Sequence, residues 1–542
     1  MRVYNGICRF VIGLGKIALL ANNIGLLWTD VAATDYATMS TVTAWLGVVA
    51  FTFRIYFCFS GLVDMGIGLV KIIGFNLPEN FNYPYSSHSL TEFWQRWHIV
   101  LGNLSEKSRN RKLLIIFSIA AVWLLLGILH GAGWNLLLWA AAMCTVIAAE
   151  KLFLRKALDK IPWFLSNIYV MFSMMVLWPL FALPNFGGAF SYIRVMFGDS
   201  GNEFFLDQQA AYYIMNYWVI LTICIFACTE FPKFIVDTIR KRLPVVVKCM
   251  AVPVIAAILV GSVAYLIPVQ GETEDGFTLK NNLISLRNEL ERLQGKTEIN
   301  GVFTTGDRMI LAWRENPKTL QNADTLERVD GFAQRMFERH GIESHIMLVP
   351  TAQEIYMNLL PPNSRPGNQT ALITRFYDGL AHFTHIDVAT YLAENSDGYI
   401  FYRTDHHWTA FGAYWGYYAA AQKLGITPFS LGHFNVEHTV TDFRGTLFAR
   451  TLNSRITPDV VSSYTLSAQR GGGATDNVQS LLIFGDGFAD SVIEFLANHY
   501  SQITRLDLRF FCENYEWEPI DIEGYTQILF IFGAVNFAEY VA

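Results

Sequence analysis

The segment LLIIFSIAAVWLLLGILHGAGWNLLLWAAAMCTVIAA, residues 113–149, contains no Asp, Glu, Lys or Arg. At roughly 20 residues per crossing it is long enough to span a bilayer twice. Its one ionisable side chain is His130, followed by the sequence GAGWN. An ionisable group at membrane depth is costly unless it lines a polar cavity or has a partner, which makes it a candidate functional residue. A loop histidine wetted by lipid headgroups fits the same hydropathy, so both interpretations stay open.

The composition divides the chain into two parts. Of the 542 residues, 52% are hydrophobic and only 16% are charged, which is too apolar for a soluble protein of this length. Apolar runs of membrane length stop near Gln270, so we predict a membrane domain over 1–270 and a soluble domain over 271–542. No basic run favours a nucleic-acid partner.

Hydropathy predicts about seven membrane-spanning helices, with a further short element at 62–75. The spans lie near 7–27, 40–60, 113–130, 134–150, 166–186, 211–230 and 249–269. Basic residues cluster within 107–112, 151–160 and 233–248, and by the positive-inside rule these loops face the cytoplasm. The last span then places everything after Gln270 outside the cell. We therefore expect a multi-pass membrane protein in contact with the lipid bilayer, with an extracytoplasmic C-terminal domain.

Charges and helix breakers interrupt the apolar sequence between Phe51 and His98; they include Asp64, Gly61, Pro78 and Pro84. Irregular backbone and charge at membrane depth persist only where they line a cavity or are covered by protein. The following sequence SLTEFWQRWHIVL predicts an amphipathic helix that Ser89 or Thr91 caps and that carries His98. An interfacial helix with an incidental histidine explains the same pattern.

The soluble half alternates helical patterns with short apolar strands. Helices are predicted near 277–293, 324–341, 369–381 and 409–423, and strands at HIMLVP, THIDV, SLLIFGD, ITRLDL and ILFIF. Leucines from Leu279 to Leu293 form one stripe of the first helix, which we expect to be amphipathic and close to the membrane. The alternation indicates an α/β three-layer domain with a mostly parallel sheet.

The sequence TDHHW, residues 404–408, is the chemical centre of this half. Asp405 can fix the tautomer of His407 and stabilise its charged form, as in the base and orienting residue of a hydrolase triad. A zinc site formed by Asp405, His406 and His407 is an alternative. We disfavour it because adjacent histidines should point apart and no ligand-spaced partner follows. A solvated histidine-rich turn is a further alternative, and we expect no bound metal or cofactor.

The motifs IYFCFSGLVDMGIGL, FNLPENFNYPY, SLTEFWQRWHI and LHGAGWNLLLW resemble the membrane-bound O-acyltransferase (MBOAT) family, in its bacterial branch for alginate acetylation and teichoic-acid D-alanylation. The resemblance implies a funnel through which an acyl group passes from cytoplasmic acetyl-CoA to an outward carrier in the bacterial cell membrane. It implies catalytic roles for His130 and His98, and substrate binding by Asp64, Arg96 and Trp97.

Parts of this family pattern are not found. The N-terminal helices are missing, the segment that normally follows His98 is shortened, and Leu129 stands where the family usually has Trp. The resemblance therefore implies a partial fold, which a second membrane chain would complete, or a degenerate gene product.

The TDHHW block, together with EINGVF, IMLVPT, FRGTLFAR and LLIFGDGFADSVIEFL, resembles the DHHW proteins and the alginate O-acetyltransferases of the SGNH-hydrolase-like superfamily. It implies that Asp405 and His407 are catalytic and that Trp408 and Asp486 contact substrate. In that family the pair serves a serine that follows an aspartate at a strand end. Here that position is Gly487, so the nucleophile is lost. Ser491, one helical turn later, is expected to lie behind the turn.

These resemblances predict an O-acetyltransferase of a cell-surface or secreted polysaccharide, with its activity in doubt because of Gly487. One alternative is a non-catalytic, glycan-binding or scaffold membrane protein. Another is transfer of D-alanyl groups to teichoic acid, against which the DHHW half argues.

Overall fold

The chain divides into two compact units. The first contains the helices up to Pro268 together with Thr278–Leu293, and the second begins at Thr297. Predicted span 113–130, with His130, and also His98 lie outside the described residues. The computed structural model describes residues 2–97, 99, 133–158, 160–199, 205–268, 278–314, 323–364, 366–467, 479–507 and 524–540.

The described part of the first unit is helical. Six of its stretches are long and apolar enough to span a membrane: Arg2–Ala32, Thr41–Ile72, Trp134–Leu154, Trp163–Ala182, Gln208–Ala227 and Pro244–Leu266. Short π-helical segments lie at Lys16–Ala21 and Glu150–Leu154. The α-helices are α1 Arg2–Gly15, α2 Asn22–Ala32, α3 Thr41–Ile72, α4 Leu90–Trp97, α5 Trp134–Ala149, α6 Arg155–Leu158, α7 Trp163–Ala182, α8 Phe186–Met196, α9 Gln208–Ala227, α10 Phe231–Arg242, α11 Pro244–Leu266 and α12 Thr278–Leu293.

Helix α3 corrects the predicted break at Gly61, because the elements predicted at 40–60 and 62–75 form one continuous helix of 32 residues. Gly61 is a packing residue. A Cβ placed on it would lie 2.7 Å from the carbonyl oxygen of Gly13, and a Cβ on Gly13 would lie 2.6 Å from that of Gly61. Small residues at such contacts let two membrane helices approach backbone to backbone.

An ion-pair cluster around a buried carboxylate joins the same two helices. Asp64 on α3 is 7% exposed and accepts hydrogen bonds from Arg9 Nε at 2.7 Å and Lys16 Nζ at 2.7 Å. Arg9 NH1 also donates to Glu79 at 2.8 Å. A buried carboxylate needs compensation of this kind. The charge of Asp64, for which we predicted substrate binding, is therefore occupied by partners within the fold.

The N-terminus of α4 is capped by two residues. Ser89 Oγ accepts from the backbone N–H of Glu92 at 3.0 Å, as one of the two predicted caps. Glu150 accepts from Leu90 N at 2.7 Å, Thr91 N at 2.9 Å and Thr91 Oγ1 at 2.8 Å, and it is 2% exposed. A carboxylate at this end of a helix satisfies free N–H groups and is favoured by the helix dipole.

Helix α12 packs with its polar side inward. Ile284, Asn288 and Glu291 are buried, whereas Leu279 and Leu293 are 62% and 80% exposed. Lys296, directly after the helix, donates to Asn23 Oδ1 at 2.7 Å. The predicted leucine stripe is therefore not the buried face, and the helix groups with the first unit although we assigned it to the second domain.

The second unit is an α/β domain. Its main sheet is parallel and has the strand order β5-β4-β10-β8-β9. Its strands are β1 Glu298–Ile299, β2 Val302–Thr305, β3 Arg308–Leu311, β4 Glu343–Val349, β5 Thr384–Ile386, β6 Phe434–Phe443, β7 Asp459–Leu466, β8 Ser480–Gly485, β9 Gln502–Leu506 and β10 Gln527–Gly533. Its helices are α13 Ala323–His340, α14 Ala352–Ile355, α15 Gln369–Gly379, α16 Ala389–Glu394, α17 Ala410–Leu424, α18 Thr446–Thr451, α19 Gly487–Leu496 and α20 Ala534–Tyr540.

The predicted α/β architecture is confirmed. One sheet face packs against α13, α15 and α20 through a cluster that includes Phe332, Phe376, Phe484, Phe530 and Phe537. Helix α17 contacts strands β4 and β5, and helix α19 contacts strands β8 and β10. Loops at the carboxyl ends of parallel strands usually form the site of such a domain. The small antiparallel sheets β1–β3 and β6–β7 were not predicted.

We predict that the Glu150→Ala variant unfolds at a lower temperature than the wild type. The substitution leaves two backbone N–H groups and one hydroxyl without their acceptor, and each such loss costs about 1–3 kcal/mol. Thermal unfolding in detergent micelles measures the effect. The control is Glu343→Ala, which removes the same charge from an exposed site. Equal melting temperatures for the two variants would contradict the role of Glu150 as a cap.

Candidate active site

The TDHHW residues form the tip of a hairpin-like loop that leads into α17. Phe401 and Trp408 form an antiparallel bridge, and Thr409 N donates to Ile400 O at 2.9 Å. Thr409 Oγ1 then accepts from Gly412 N at 3.2 Å and caps the helix. The loop is therefore closed at its base and continues into a capped helix.

A buried carboxylate holds the loop from beneath. Asp459 is fully buried and accepts hydrogen bonds from Arg403 N at 2.7 Å, Thr404 N at 2.8 Å and Thr404 Oγ1 at 2.5 Å. The Tyr399 hydroxyl donates to it as well. A fully satisfied buried network of this kind rigidifies its surroundings. Asp459 was not predicted as a site residue, since it lies far from the loop in sequence and in no recognisable motif.

Asp405 and His407 form a hydrogen-bonded dyad. His407 Nδ1 donates to Asp405 Oδ1 at 2.6 Å, and His407 N donates to the same oxygen at 3.0 Å. The other carboxylate oxygen accepts from Thr446 N at 2.7 Å. An ionised carboxylate only accepts hydrogen bonds, so Nδ1 carries a proton, and in the neutral tautomer of the ring the lone pair therefore lies on Nε2. This is the arrangement of a general base and its orienting residue.

The charge states of the neighbouring groups fit this arrangement. Burial opposes ionisation of Asp405, but the hydrogen bond from His407 and the nearby imidazole charges hold the pKa of the carboxyl well below its usual range. Burial, together with repulsion by a charged His407, lowers the pKa of His406 to about 4. At neutral pH Asp405 is therefore ionised and His406 is uncharged.

Two glycines let the backbone approach the dyad. A Cβ on Gly445 would overlap the carboxylate of Asp405, so the FRGT turn must carry glycine there. A Cβ on Gly487, the first residue of α19, would lie 2.5 Å from His407 Nε2. Nε2 has no hydrogen-bond partner among the described residues, and Ser491 does not bond to it. The dyad therefore faces position 487 directly.

Asp486 and Trp408, predicted to bind substrate, have their polar groups engaged within the domain. Asp486 accepts from Phe488 N at 3.0 Å, Gly533 N at 3.0 Å and Asn536 Nδ2 at 2.7 Å, and burial raises its pKa. Trp408 Nε1 donates to Phe488 O at 3.1 Å and is 1% exposed. Asp486 therefore joins the end of strand β10 to the start of α19. Trp408 joins the TDHHW loop to the same end of α19.

The expectation that the two histidines point apart is wrong. Their ring centroids are 3.9 Å apart, because His406 Nδ1 is held by Thr446 Oγ1 at 2.7 Å while His407 turns to Asp405. The ligand atoms of Asp405, His406 and His407 lie within 4.8 Å of one another, and such a set suits zinc. A metal would, however, have to displace the Asp405–His407 hydrogen bond.

The remaining predicted site residues belong to the first unit. Arg96 pairs with Glu92 at 2.6 Å on α4. Trp97 is 3% exposed and stacks on Phe93 with a centroid distance of 5.4 Å. Arg96, Trp97 and the ion-paired Asp64 therefore all contact other residues of the first unit. The roles of His98 and His130 stay predictions, since neither residue is among those described.

Comparisons find known proteins that are similar to each of the two parts of the chain. Residues 311–479 match a family model described as SGNH hydrolase-like domain, acetyltransferase AlgX. A probable alginate O-acetylase AlgI of Azotobacter vinelandii is 35% identical over 35% of this chain and 40% of its own length. A peptidoglycan O-acetyltransferase of Helicobacter pylori is 28% identical over 36% of this chain and 39% of its own length.

Among solved structures, a DHHW family protein from Eubacterium siraeum has 20% identity and a TM-score of 0.37, covering 45% of this chain and 95% of that protein. The match to the two curated relatives spans only about two fifths of their length. The family model over 311–479 and the curated relatives together show that the chain has homologues among MBOAT-type, AlgI-like membrane acyltransferases and carries a C-terminal SGNH hydrolase-like domain.

The pKa of His406 predicts a pH dependence of stability. The folded state keeps His406 neutral, whereas in the unfolded chain it binds a proton near pH 6.5. Unfolding therefore takes up a proton between about pH 6.5 and pH 4, and stability falls as the pH falls through this window. The wild type should lose on the order of 2 kcal/mol more than His406→Gln over that range. Below about pH 4, protonation of Asp405 adds a further loss.

Thermal unfolding of the full chain between pH 4 and pH 7 measures the difference. The control is His438→Gln, which changes an exposed histidine on the β6–β7 ribbon. If the melting temperatures of wild type and His406→Gln fall in parallel, burial of a neutral His406 is contradicted.

Proposed function

We propose that this chain is an O-acyltransferase that places acetyl groups on hydroxyls of a cell-surface polysaccharide. The observation that carries the proposal is the Asp405–His407 dyad, in which the imidazole is held at Nδ1 at 2.6 Å and its Nε2 has no hydrogen-bond partner among the described residues. Its presence in one chain with a segment similar to alginate O-acetylases supports acyl transfer. The acyl donor would be cytoplasmic acetyl-CoA.

The dyad supplies the proton transfer that such a reaction needs. Nε2 would accept a proton as an oxygen attacks the acyl carbonyl carbon, and ionised Asp405 would stabilise the resulting imidazolium. General-base help of this kind contributes roughly 10²–10⁴-fold to a rate. The His407 side chain is 29% exposed, so part of the ring faces solvent.

Covalent fusion of the two units supports a shared task. A tether raises the effective concentration of one site near another toward the millimolar range. In this proposal His130 and His98 assist passage of the acyl group through the membrane unit, and the second unit completes the transfer outside the cell. The outward placement rests on the basic loops of the sequence and the positive-inside rule.

A non-catalytic glycan-binding role is the second candidate. It is favoured by Gly487, since position 487 faces Nε2 and offers no side-chain nucleophile. The network around Asp459 and Asp405 would then serve only to shape a surface. The two candidates differ in whether loss of His407 changes the acetyl content of the cell surface.

Replacement of His407 by alanine should abolish the acetylation caused by the gene. Acetyl esters released by mild alkali from the extracellular polysaccharide are measured in cells that express wild type, His407→Ala or the control His438→Ala. We expect His407→Ala to lower the ester content to that of cells without the gene, because the base is removed. The control His438→Ala should leave the ester content at the wild-type level. Equal ester content with wild type and His407→Ala would favour the glycan-binding candidate.

Fusion of alkaline phosphatase to the C-terminus tests the orientation. This reporter is active only outside the cytoplasm, so we expect high phosphatase activity after residue 542 and low activity from a fusion after Lys241, in the basic loop. The reverse pattern would contradict an outward second unit and with it the proposed route of the acyl group.

A further inference from the structure

Helix α10, Phe231–Arg242, joins α9 to α11, and both of these helices are long and apolar enough to span a membrane. The links at its two ends are compact. Thr229 N donates to Phe226 O at 3.2 Å in the first link, and Leu243 N donates to Ile239 O at 2.7 Å in the second. Both ends of α10 therefore lie at the membrane surface where α9 ends and α11 begins. A helix of 12 residues is about 18 Å long, so with both ends at one surface it lies along that surface.

The side chains of α10 divide into two faces. All of its residues are described, and none of them is buried within the protein. The apolar face is between 39% and 65% exposed and consists of Phe231, Phe234, Ile235, Val236 and Ile239. The opposite face carries Lys233, Asp237, Arg240 and Lys241. An amphipathic helix with an exposed apolar face and a basic polar face is typical of a segment that lies in a membrane interface.

From this placement we propose that α10 lies in the headgroup layer of the membrane and binds anionic phospholipids. Its apolar side chains would enter the boundary of the acyl chains, and its basic side chains would contact lipid phosphates. The inference concerns the membrane unit alone and does not depend on the proposed function.

The charge of α10 complements an anionic lipid surface. The helix contains four basic residues, Lys233, Arg240, Lys241 and Arg242, and one acidic residue, Asp237, so its net charge is 4 − 1 = +3. Basic residues next to a membrane are attracted to anionic lipids, and the attraction falls off within about 10 Å. Since α10 lies along the surface, all four basic side chains are within this range at once.

The length of the basic side chains lets both faces be satisfied together. Lys and Arg can extend along apolar surface and keep the charged group in water or among headgroups. The apolar side of an interfacial helix is buried by about 5–10 Å in the boundary between headgroups and acyl chains. The rings of Phe231 and Phe234 are large enough to reach this depth. A protein partner could also cover an apolar face, but the surface position of both helix ends favours lipid.

Native mass spectrometry of the full chain tests the lipid preference. The protein in detergent receives equal amounts of phosphatidylglycerol and phosphatidylcholine, and the ratio of the two bound lipids is measured. Wild type should retain more phosphatidylglycerol. Combined substitution of Lys233→Gln, Arg240→Gln and Lys241→Gln should lower the ratio by at least about fivefold, because it removes three charges from the anionic surface.

A matched control removes the same charge elsewhere. The combination Arg328→Gln, Arg335→Gln and Arg339→Gln changes three exposed residues of one helix, α13, in the second unit. It should leave the lipid ratio at the wild-type value. An equal fall with both combinations would show a general effect of charge and would overturn a lipid site on α10.

Labelling of single cysteines tests the depth of the apolar face. Phe234→Cys and Lys241→Cys are placed in a chain whose seven cysteines are alanine, and each is labelled with a water-soluble maleimide in nanodiscs of phosphatidylglycerol and phosphatidylcholine. Both positions are exposed in the protein, so the protein fold alone predicts similar rates. Burial of the apolar face in lipid predicts that Phe234→Cys reacts at least about tenfold more slowly than Lys241→Cys.

Equal labelling rates at the two positions would overturn the interfacial placement, and an unchanged lipid ratio in the α10 combination would overturn the lipid site. Dimers that dissociate when the three basic residues are replaced would show that a second copy occupies the helix instead. Melting temperatures distinguish loss of fold from loss of lipid. The lipid ratio of the wild type needs no variant, and equal retention of the two lipids by it would also overturn the proposal.

Discussion

The candidate site depends on the hydrogen bond between His407 Nδ1 and Asp405 Oδ1, which orients the imidazole ring. This hydrogen bond sets the imidazole tautomer, and it thereby decides that Nε2 rather than Nδ1 is the basic atom. The carboxylate can stay ionised in a buried position because the imidazole and the backbone N–H of Thr446 satisfy both of its oxygens. The loop that carries the pair is held in turn by the buried Asp459.

Close backbone approaches recur in both units and explain why glycine stands at several decisive positions. Gly445 allows α18 to begin against Asp405, and Gly487 allows α19 to begin against His407. In the membrane unit, Gly13 and Gly61 bring α1 and α3 together around the ion-paired Asp64. At these four positions glycine therefore marks a close backbone contact.

Sequence reasoning identified the elements whose hydrophobic period is strong, such as the buried strands of the parallel sheet and the helix that Gly341 ends with a φ of +66°. It failed where contacts between residues far apart in the sequence determine which side chains are buried and what they bond to. Helix α12 buries Asn288 and Glu291, and the neighbouring Lys296 finds its partner in Asn23, which no local pattern shows. The dyad follows from the spacing of Asp405 and His407. The support from Asp459 depends on a contact across more than fifty residues.

The central claim is that Asp405 holds His407 through Nδ1 and leaves Nε2 as the basic atom of the candidate site. The most direct measurement is a cryo-electron microscopy structure of the full chain in nanodiscs. We predict that His407 Nδ1 lies 2.6 Å from Asp405 Oδ1. An imidazole ring turned away from Asp405, or a protein side chain hydrogen-bonded to Nε2, would contradict the claim.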